Sequence, residues 1–222
     1  KDSYSTFERK SYLYNFKGRI RFRQYFNDTL FIINEADSLS PLYIFDLGEY
    51  KMPLSVRAGR FGGAELWNYL SVEDVFETND ILLIKCFFGN RFPARRLTSR
   101  KTPAGESWFT TTNMLGILKK STGEFSFFKP ESTDNPLNTT GIINDIDCGP
   151  RFFPQKMVND SVMVMAVEAM DLKDHVAGDD FRKARARNPA GRKKLEDIAS
   201  GINPLDNPVL MFVTFKSKGK YK

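Results

Sequence analysis

Histidine and cysteine are scarce in this chain of 222 residues, which contains one His and two Cys. The single histidine, His175, excludes a zinc site built from several imidazoles. Two cysteines, Cys86 and Cys148, exclude a disulfide-dense scaffold and allow at most one intrachain bridge. Cys86 lies in an apolar run, so we expect a buried free thiol. A Ser-His-Asp or Cys-His site would need His175, which lies in a charged segment and which we expect to be exposed and without function.

Long apolar segments are absent as well. No run approaches the ~20 apolar residues that a membrane-spanning helix needs, so we expect no transmembrane segment. The chain begins at Lys1 without a start Met or an apolar signal core, which predicts a processed or partial product. The net charge is +6, and much of the excess lies between Arg182 and Lys194. That clustering is typical of a solvated helix, so we expect no nucleic-acid partner.

Aromatic residues, in contrast, make up 14% of the chain, which favours strands because rings pack well on pleated surfaces. Residues 19–26 alternate polar and apolar side chains, as a half-buried strand does. Residues 29–33 and 42–47 predict two further strands after short turns. Three strands joined by tight connections form an antiparallel meander.

The strand pattern then recurs twice along the chain. We predict strands at residues 67–77, 80–88, 107–118, 124–128, 141–147, 151–153 and 161–167. The rounds are spaced by about fifty residues or more, against ~40–50 for a propeller blade, and loop insertions would account for the excess. The pattern therefore predicts an all-β fold made of β-propeller blades.

A short helical insertion over about 179–201 interrupts the strands. Asn188 and Pro189 supply an N-cap and a first-turn proline, and Gly201 fits the left-handed position that ends many helices. Residues 208–215 then predict one buried strand. That strand must pair with an earlier one, and in a propeller it completes a blade.

Two segments carry a resemblance to a known family. Residues 205–216, Leu-Asp-Asn-Pro-Val-Leu-Met-Phe-Val-Thr-Phe-Lys, resemble the closing strand of six-bladed, TolB-like β-propeller proteins of unknown function exported by Bacteroidetes. Residues 143–154 look like the family's Asp-Gly-Gly-Pro-x-Phe-x-Pro stretch, with Cys148 where a Gly is expected. The resemblance implies that residues 1–222 are a single six-bladed propeller domain or the C-terminal part of one.

The resemblance also implies an exported cell-envelope protein, periplasmic or at the cell surface, secreted or held by a lipid anchor as a lipoprotein. A shared fold does not define an activity. We expect a non-catalytic binding or scaffold module that recognises a glycan, a peptide or a cell-envelope protein. An enzyme is the less favoured interpretation.

Asp145 and Asp147 are the candidate metal ligands and ligand-binding carboxylates. They are two residues apart, so on a strand both would lie on one face, where they could bind Ca²⁺ or do acid–base chemistry. Lactonase-like propellers use carboxylates and Asn around a central ion, so a Ca²⁺-dependent hydrolase or lyase is the alternative, with Asn144 and Asn159 as further oxygen ligands. The simpler interpretation is that both Asp residues bond to turn amides. We expect no other cofactor.

Arg95 and Arg96 are the remaining ligand-binding candidates. They belong to a basic loop, residues 91–101, that also contains Phe92. Such a loop could meet an acidic glycan or a phosphate, although solvated charge is the simpler interpretation. A third hypothesis is an anionic-polymer binder that uses this loop or residues 182–194, whose affinity would fall with salt.

Overall fold

The computed structural model describes residues 11–24, 27–34, 38–54, 56, 68–88, 98–102, 105–109, 113–128 and 141–216. Within these residues the protein is mostly β, with antiparallel sheets and a few helices. The chain divides into two compact units, Lys1–Ser126 and Phe127–Lys222. No described helix is long and apolar enough to span a membrane.

The first sheet of the N-terminal unit is a four-stranded antiparallel meander in chain order. Its strands are β1 (Ser11–Phe16), β2 (Arg19–Gln24), β3 (Thr29–Ile33) and β4 (Leu39–Ile44). The predicted meander is confirmed, and β3 has the predicted bounds. Strand β1 was not predicted, and β4 begins at Leu39 rather than at residue 42.

The second sheet of this unit has the strand order β10-β9-β6-β5. Its strands are β5 (Leu70–Glu77), β6 (Ile81–Phe88), β9 (Asn113–Lys119) and β10 (Phe125–Phe127). Between β6 and β9 the chain forms a separate hairpin of β7 (Thr98–Thr102) and β8 (Gly105–Phe109). The single strand predicted over 107–118 is therefore wrong, because two strands of different sheets occupy it.

An apolar core joins the two sheets of the N-terminal unit. It contains Leu30 of the first sheet and six buried residues of the second: Val72, Val75, Leu82, Ile84, Cys86 and Met114. Each fully buried aliphatic side chain contributes roughly 1.5–3 kcal/mol, so this core is a main source of stability for the unit. Cys86 is a buried free thiol, as expected, and burial raises its pKa to about 12.

Strand β2 alternates as predicted, but its charged face is the buried one. Arg21 and Arg23 are 7% and 1% exposed, whereas Ile20 is 45% exposed. Burying a charge is costly unless it is paired and hydrogen-bonded. The burial of these arginines therefore depends on partners supplied by other strands.

The C-terminal unit contains a three-stranded antiparallel sheet. Its strands are β11 (Lys156–Met157), β12 (Val162–Val167) and β13 (Val209–Thr214). The inner residues of β12, Met163, Met165 and Val167, are buried. Strand β13 pairs along its whole length with β12, which confirms that the last strand joins an earlier one.

Three helices lie between β12 and β13. They are α1 (Ala169–Ala177), α2 (Asp179–Lys183) and α3 (Pro189–Gly201), so the helical insertion begins ten residues before residue 179. The N-cap of α3 is confirmed, because Asn188 Oδ1 accepts a hydrogen bond from Gly191 N at 3.0 Å and Pro189 is the first helical residue. Gly201 is helical, so its predicted left-handed role is wrong.

Candidate functional site

Asp145 and Asp147 lie in a turn. Residues 145–147 have turn conformation, and Ile142 makes only an isolated bridge, with Phe152. The predicted strand over 141–147 is therefore wrong, and so is the expectation that it places both carboxylates on one face. The side chains of Asn and Asp can hydrogen-bond to nearby backbone groups in place of the hydrogen bonds between strands, and they do so in this segment.

The carboxylate of Asp147 is used inside its own turn. Its Oδ1 accepts hydrogen bonds from Asn144 Nδ2 at 2.6 Å and from Gly149 N at 2.9 Å. Asn144 Oδ1 in turn accepts from Ile146 N at 3.2 Å. These contacts match the simpler interpretation of Asp147, in which the carboxylate bonds to turn groups.

Asp145 connects the same turn to the start of α3. Its carboxylate lies 3.3 Å from Arg187 Nη1, and both side chains are largely exposed. The backbone also contributes, because Arg187 N donates to Asp145 O and Asn188 N donates to Ile146 O, at 2.9 and 2.7 Å. An exposed ion pair of this kind contributes ~0–1 kcal/mol, so the backbone bonds are the stronger connection.

The other candidate ligands are not brought to this turn. Asn159 Oδ1 accepts from Ser161 N and Val162 N, both at 2.9 Å, within a separate turn. In the part of the chain that the structure describes, no three His, Cys, Asp or Glu side chains are grouped as metal ligands. Arg95 and Arg96 lie outside the described residues.

His175 is buried, with 6% of its surface exposed, so the expectation of an exposed side chain is wrong. Its Nε2 lies 2.8 Å from the carbonyl oxygen of Cys148. Because a carbonyl only accepts, Nε2 carries the proton and donates it. The ring also meets Phe181 edge to face, with centroids 5.7 Å apart. The imidazole therefore holds the backbone of residue 148 and is not bonded to the thiol.

Cys148 occupies an unusual backbone conformation, with φ of 61°. An L-residue is strained in this left-handed region, whereas glycine is not. A glycine at position 148 would adopt this conformation without the strain. Burial raises the pKa of the Cys148 thiol, although the charge of Arg192 acts in the opposite direction. A thiol with a raised pKa is a poor nucleophile.

A charged network in the N-terminal unit was not predicted from the sequence. Glu77, at the end of β5, is 2% exposed. Its Oε2 accepts from Tyr14 Oη and Arg21 Nε, both at 3.0 Å, and its Oε1 accepts from Lys120 Nζ at 2.7 Å. Burial, followed by the charge of Glu77, raises the pKa of Tyr14 far above its ordinary value. The only signal in the sequence was the pair of arginines at alternate positions of β2.

The same network surrounds the ring of Phe16 with cations. The charged groups of Lys17, Arg21 and Lys120 lie 5.6, 5.7 and 4.6 Å from the ring centroid. Phe16 itself is buried. We call Phe16 and these three cations the Phe16 cluster. One buried donor of the cluster, Arg21 Nη1, has no hydrogen-bond partner among the described residues.

Taken together, these features define a mostly β protein of antiparallel meanders with buried polar networks. The chain belongs to the family described as a domain of unknown function, DUF4934, whose model matches residues 1–214. No curated protein and no solved structure matches the chain. The family match spans both compact units, and its description names no activity.

Proposed function

We propose that this chain supplies blades of a six-bladed β-propeller that acts as a non-catalytic binding or scaffold module of the bacterial cell envelope. The observation that supports this most directly is the connectivity of the N-terminal unit. Its two main sheets, β1-β2-β3-β4 and β5-β6-β9-β10, are each four-stranded and antiparallel, with strands in chain order. Propeller blades are four-stranded sheets arranged around a central channel.

The packing inside the N-terminal unit supports the same proposal. Leu30 of the first sheet and Leu82 and Ile84 of the second belong to one core, so consecutive sheets face each other through apolar side chains. The β7–β8 hairpin extends the connection between β6 and β9. Connections that extend from a rigid scaffold are where recognition residues concentrate, which suits a glycan, a peptide or a cell-envelope protein as ligand.

The carboxylate turn also supports a binding role over a Ca²⁺-dependent hydrolase. Asp147 is hydrogen-bonded within its turn, and Asp145 is paired with Arg187. A Ca²⁺ ion takes six to eight oxygen ligands, and Asp147 would have to leave its present partners to join them. For the location, the proposal relies on the resemblance of the closing strand to exported proteins of the cell envelope.

The proposal is tested by a thermal-shift screen of the purified chain against a glycan panel and against Ca²⁺, with hydrolase and lactonase assays beside it. We expect saturable stabilisation by one glycan class, following binding mass action, and no turnover. Turnover lost in Asp145→Ala would overturn the proposal in favour of the enzyme. A saturable Ca²⁺ shift that Asp145→Ala abolishes would point in the same direction.

The envelope location needs a separate measurement. After expression of the full-length gene in its own host, we expect the protein in the periplasmic or membrane fractions. Recovery in the cytosol alone would contradict this part of the proposal and leave the binding role to be judged by the glycan screen.

A further inference from the structure

We propose that the Phe16 cluster binds a small oxyanion, the carboxylate, phosphate or sulfate group of a ligand, through Nη1 of Arg21. The proposal concerns the N-terminal unit alone. It stands whether or not the sheets close into a propeller, because every contact on which it depends lies within that unit.

Unbalanced charge is the first argument. Lys17, Arg21 and Lys120 contribute three positive charges around one buried ring. Among the described residues, Glu77 is the carboxylate that bonds to this cluster, and it reaches Arg21 and Lys120. Below the surface, Arg21 and Lys120 share the single carboxylate of Glu77, which leaves a surplus of one positive charge, and the exposed Lys17 adds a further cation at the surface. Buried cations are costly unless opposite charge lies close by, so an anion at this place would stabilise the folded chain.

An unused donor is the second argument. Arg21 has 8% of its side chain exposed, and its Nε is bonded to Glu77. Its Nη1 is fully buried, with no acceptor among the described residues. Buried donors are nearly always paired in folded proteins, and a guanidinium pairs best with the oxygens of a carboxylate or phosphate. An oxyanion would supply both the acceptor and the charge that are lacking, whereas a water molecule would supply only the acceptor.

The neighbouring arginine of β2, Arg23, differs from Arg21 in that both of its outer nitrogens donate to backbone carbonyls. Arg23 is buried on the same face, and its Nη2 donates to Glu73 O at 2.9 Å. Its Nη1 donates to the carbonyls of Gln24 and Asn27, at 3.4 and 3.3 Å. Backbone carbonyls therefore accept from the two outer nitrogens of Arg23, while Nη1 of Arg21 has no such acceptor among the described residues.

Lys17 is the exposed cation of the cluster. It is exposed and lies with Gly18 in the tight turn between β1 and β2, where both residues have positive φ. Lysine has a long and adaptable side chain, so the ammonium can swing away to admit an anion and then close over it as a second cation. The ammonium of Lys17 has no carboxylate partner among the described residues that would hold it elsewhere.

The test is isothermal titration of the purified full chain with sodium phosphate, sodium sulfate and sodium acetate, each at ionic strength matched with sodium chloride. We expect saturable binding of at least one probe.

Lys17→Met removes an exposed cation and should weaken that binding about ten-fold, the effect of losing one charge-assisted contact. Arg21→Lys keeps the charge, removes Nη1 and should weaken it at least as much. Lys119→Met, an exposed lysine paired with Glu124, is the matched control and should bind like the parent chain.

The outcomes separate the sources of the anion. Binding of phosphate and sulfate without acetate indicates a phosphorylated or sulfated ligand, and binding of acetate indicates an acidic sugar or a peptide carboxylate. Heat no larger than the chloride control, or equal affinity in the parent chain and Lys17→Met, would overturn the site. If Arg21→Lys fails to fold, the comparison of Lys17→Met with Lys119→Met decides alone. A chain that binds glycans but none of the three probes would keep the proposed function and lose this inference.

Discussion

In the N-terminal unit, the buried carboxylate of Glu77 is paired with charged side chains, whereas in the C-terminal unit His175 and Asp147 bond to backbone groups. In the first, Glu77 accepts from Tyr14, Arg21 and Lys120, which come from three different parts of the sequence. In the second, His175 holds the carbonyl of Cys148 and Asp147 holds the amide of Gly149. A buried charge that loses its partner is costly, while a lost bond to a backbone group leaves one neutral group unpaired. The two units should therefore respond very differently to the loss of a single polar side chain.

The largest effect is expected at Glu77. Glu77→Ala leaves Arg21 and Lys120 without their buried carboxylate, and breaking such a pair costs about 3–5 kcal/mol of unfolding free energy. Equilibrium urea unfolding, followed by fluorescence, measures the change. Glu124→Ala breaks the exposed pair with Lys119 and should cost less than about 1 kcal/mol. Equal losses of unfolding free energy in the two variants would show that Glu77 does not act as a buried charged partner of Arg21 and Lys120.

Substitutions in the Asp147 turn should cause a smaller loss of unfolding free energy than Glu77→Ala. Asp147→Ala removes the acceptor of two hydrogen bonds, from Asn144 and Gly149, and should cost about 1–3 kcal/mol. Asp145→Ala removes only an exposed pair with Arg187 and should cost about 1 kcal/mol or less. The same urea titration compares the two variants. A larger loss at Asp145 than at Asp147 would contradict the assignment of Asp147 as the residue that holds the turn.

Cys148 adds a different kind of test, because its strain lies in the backbone conformation and not in a polar contact. Glycine adopts the φ of 61° without penalty, and relief of that strain offsets the lost thiol contacts in Cys148→Gly, so we expect a change within about 1 kcal/mol. Cys148→Val adds a β-branched side chain in the same conformation and should be less stable than Cys148→Gly by about 2 kcal/mol. Thermal unfolding of both variants gives the order, and a more stable Val variant would exclude backbone strain.

The smallest effect concerns Asp28, a partly exposed acid of the N-terminal unit. Burial acts to raise its pKa, but the hydrogen bond and charge of Lys51 bring the pKa below its ordinary value. An acid with a lowered folded-state pKa stabilises the protein above its unfolded pKa, and that contribution is lost as the pH falls through the folded value. Lys51→Met should therefore be slightly less stable than the parent chain at pH 7, and the gap should close as the pH falls below the ordinary pKa of an aspartate and through the folded-state pKa of Asp28. A gap that stays constant over this range would show that the charge of Lys51 does not act through Asp28.

The features that could be predicted from the sequence depend on local chemistry. The strand β3 follows from the turn residues that precede it, and the Asn188 cap of α3 follows from a side chain that reaches three residues along the chain. The buried face of β2 could not be predicted, because Arg21 depends on Glu77, 56 residues away. His175 is similar, since its partner carbonyl lies 27 residues earlier. Such pairings arise from the tertiary fold, and no local pattern reports them.

The strand predicted over 141–147 failed for a different reason. Its β-branched residues, Ile142 and Ile143, favour an extended chain. Asn144 and Asp147 bond to each other and to nearby amides, and this turn chemistry prevails over the propensity. For the candidate site, the sequence identified the carboxylates of this turn and, in the simpler interpretation, the bonding of Asp147 to a turn amide. It did not identify the pairing of Asp145 with Arg187 or the Phe16 cluster.

Strand β13 has a consequence for handling the purified chain. It lies at the end of its sheet among the described strands and contains neither lysine nor proline, and two of its side chains, Leu210 and Phe212, are more than half exposed. An uncharged strand edge of this length is a template for pairing with other chains. Concentrated samples of this chain will therefore tend to aggregate through β13, and a lysine placed at residue 212 would keep them soluble.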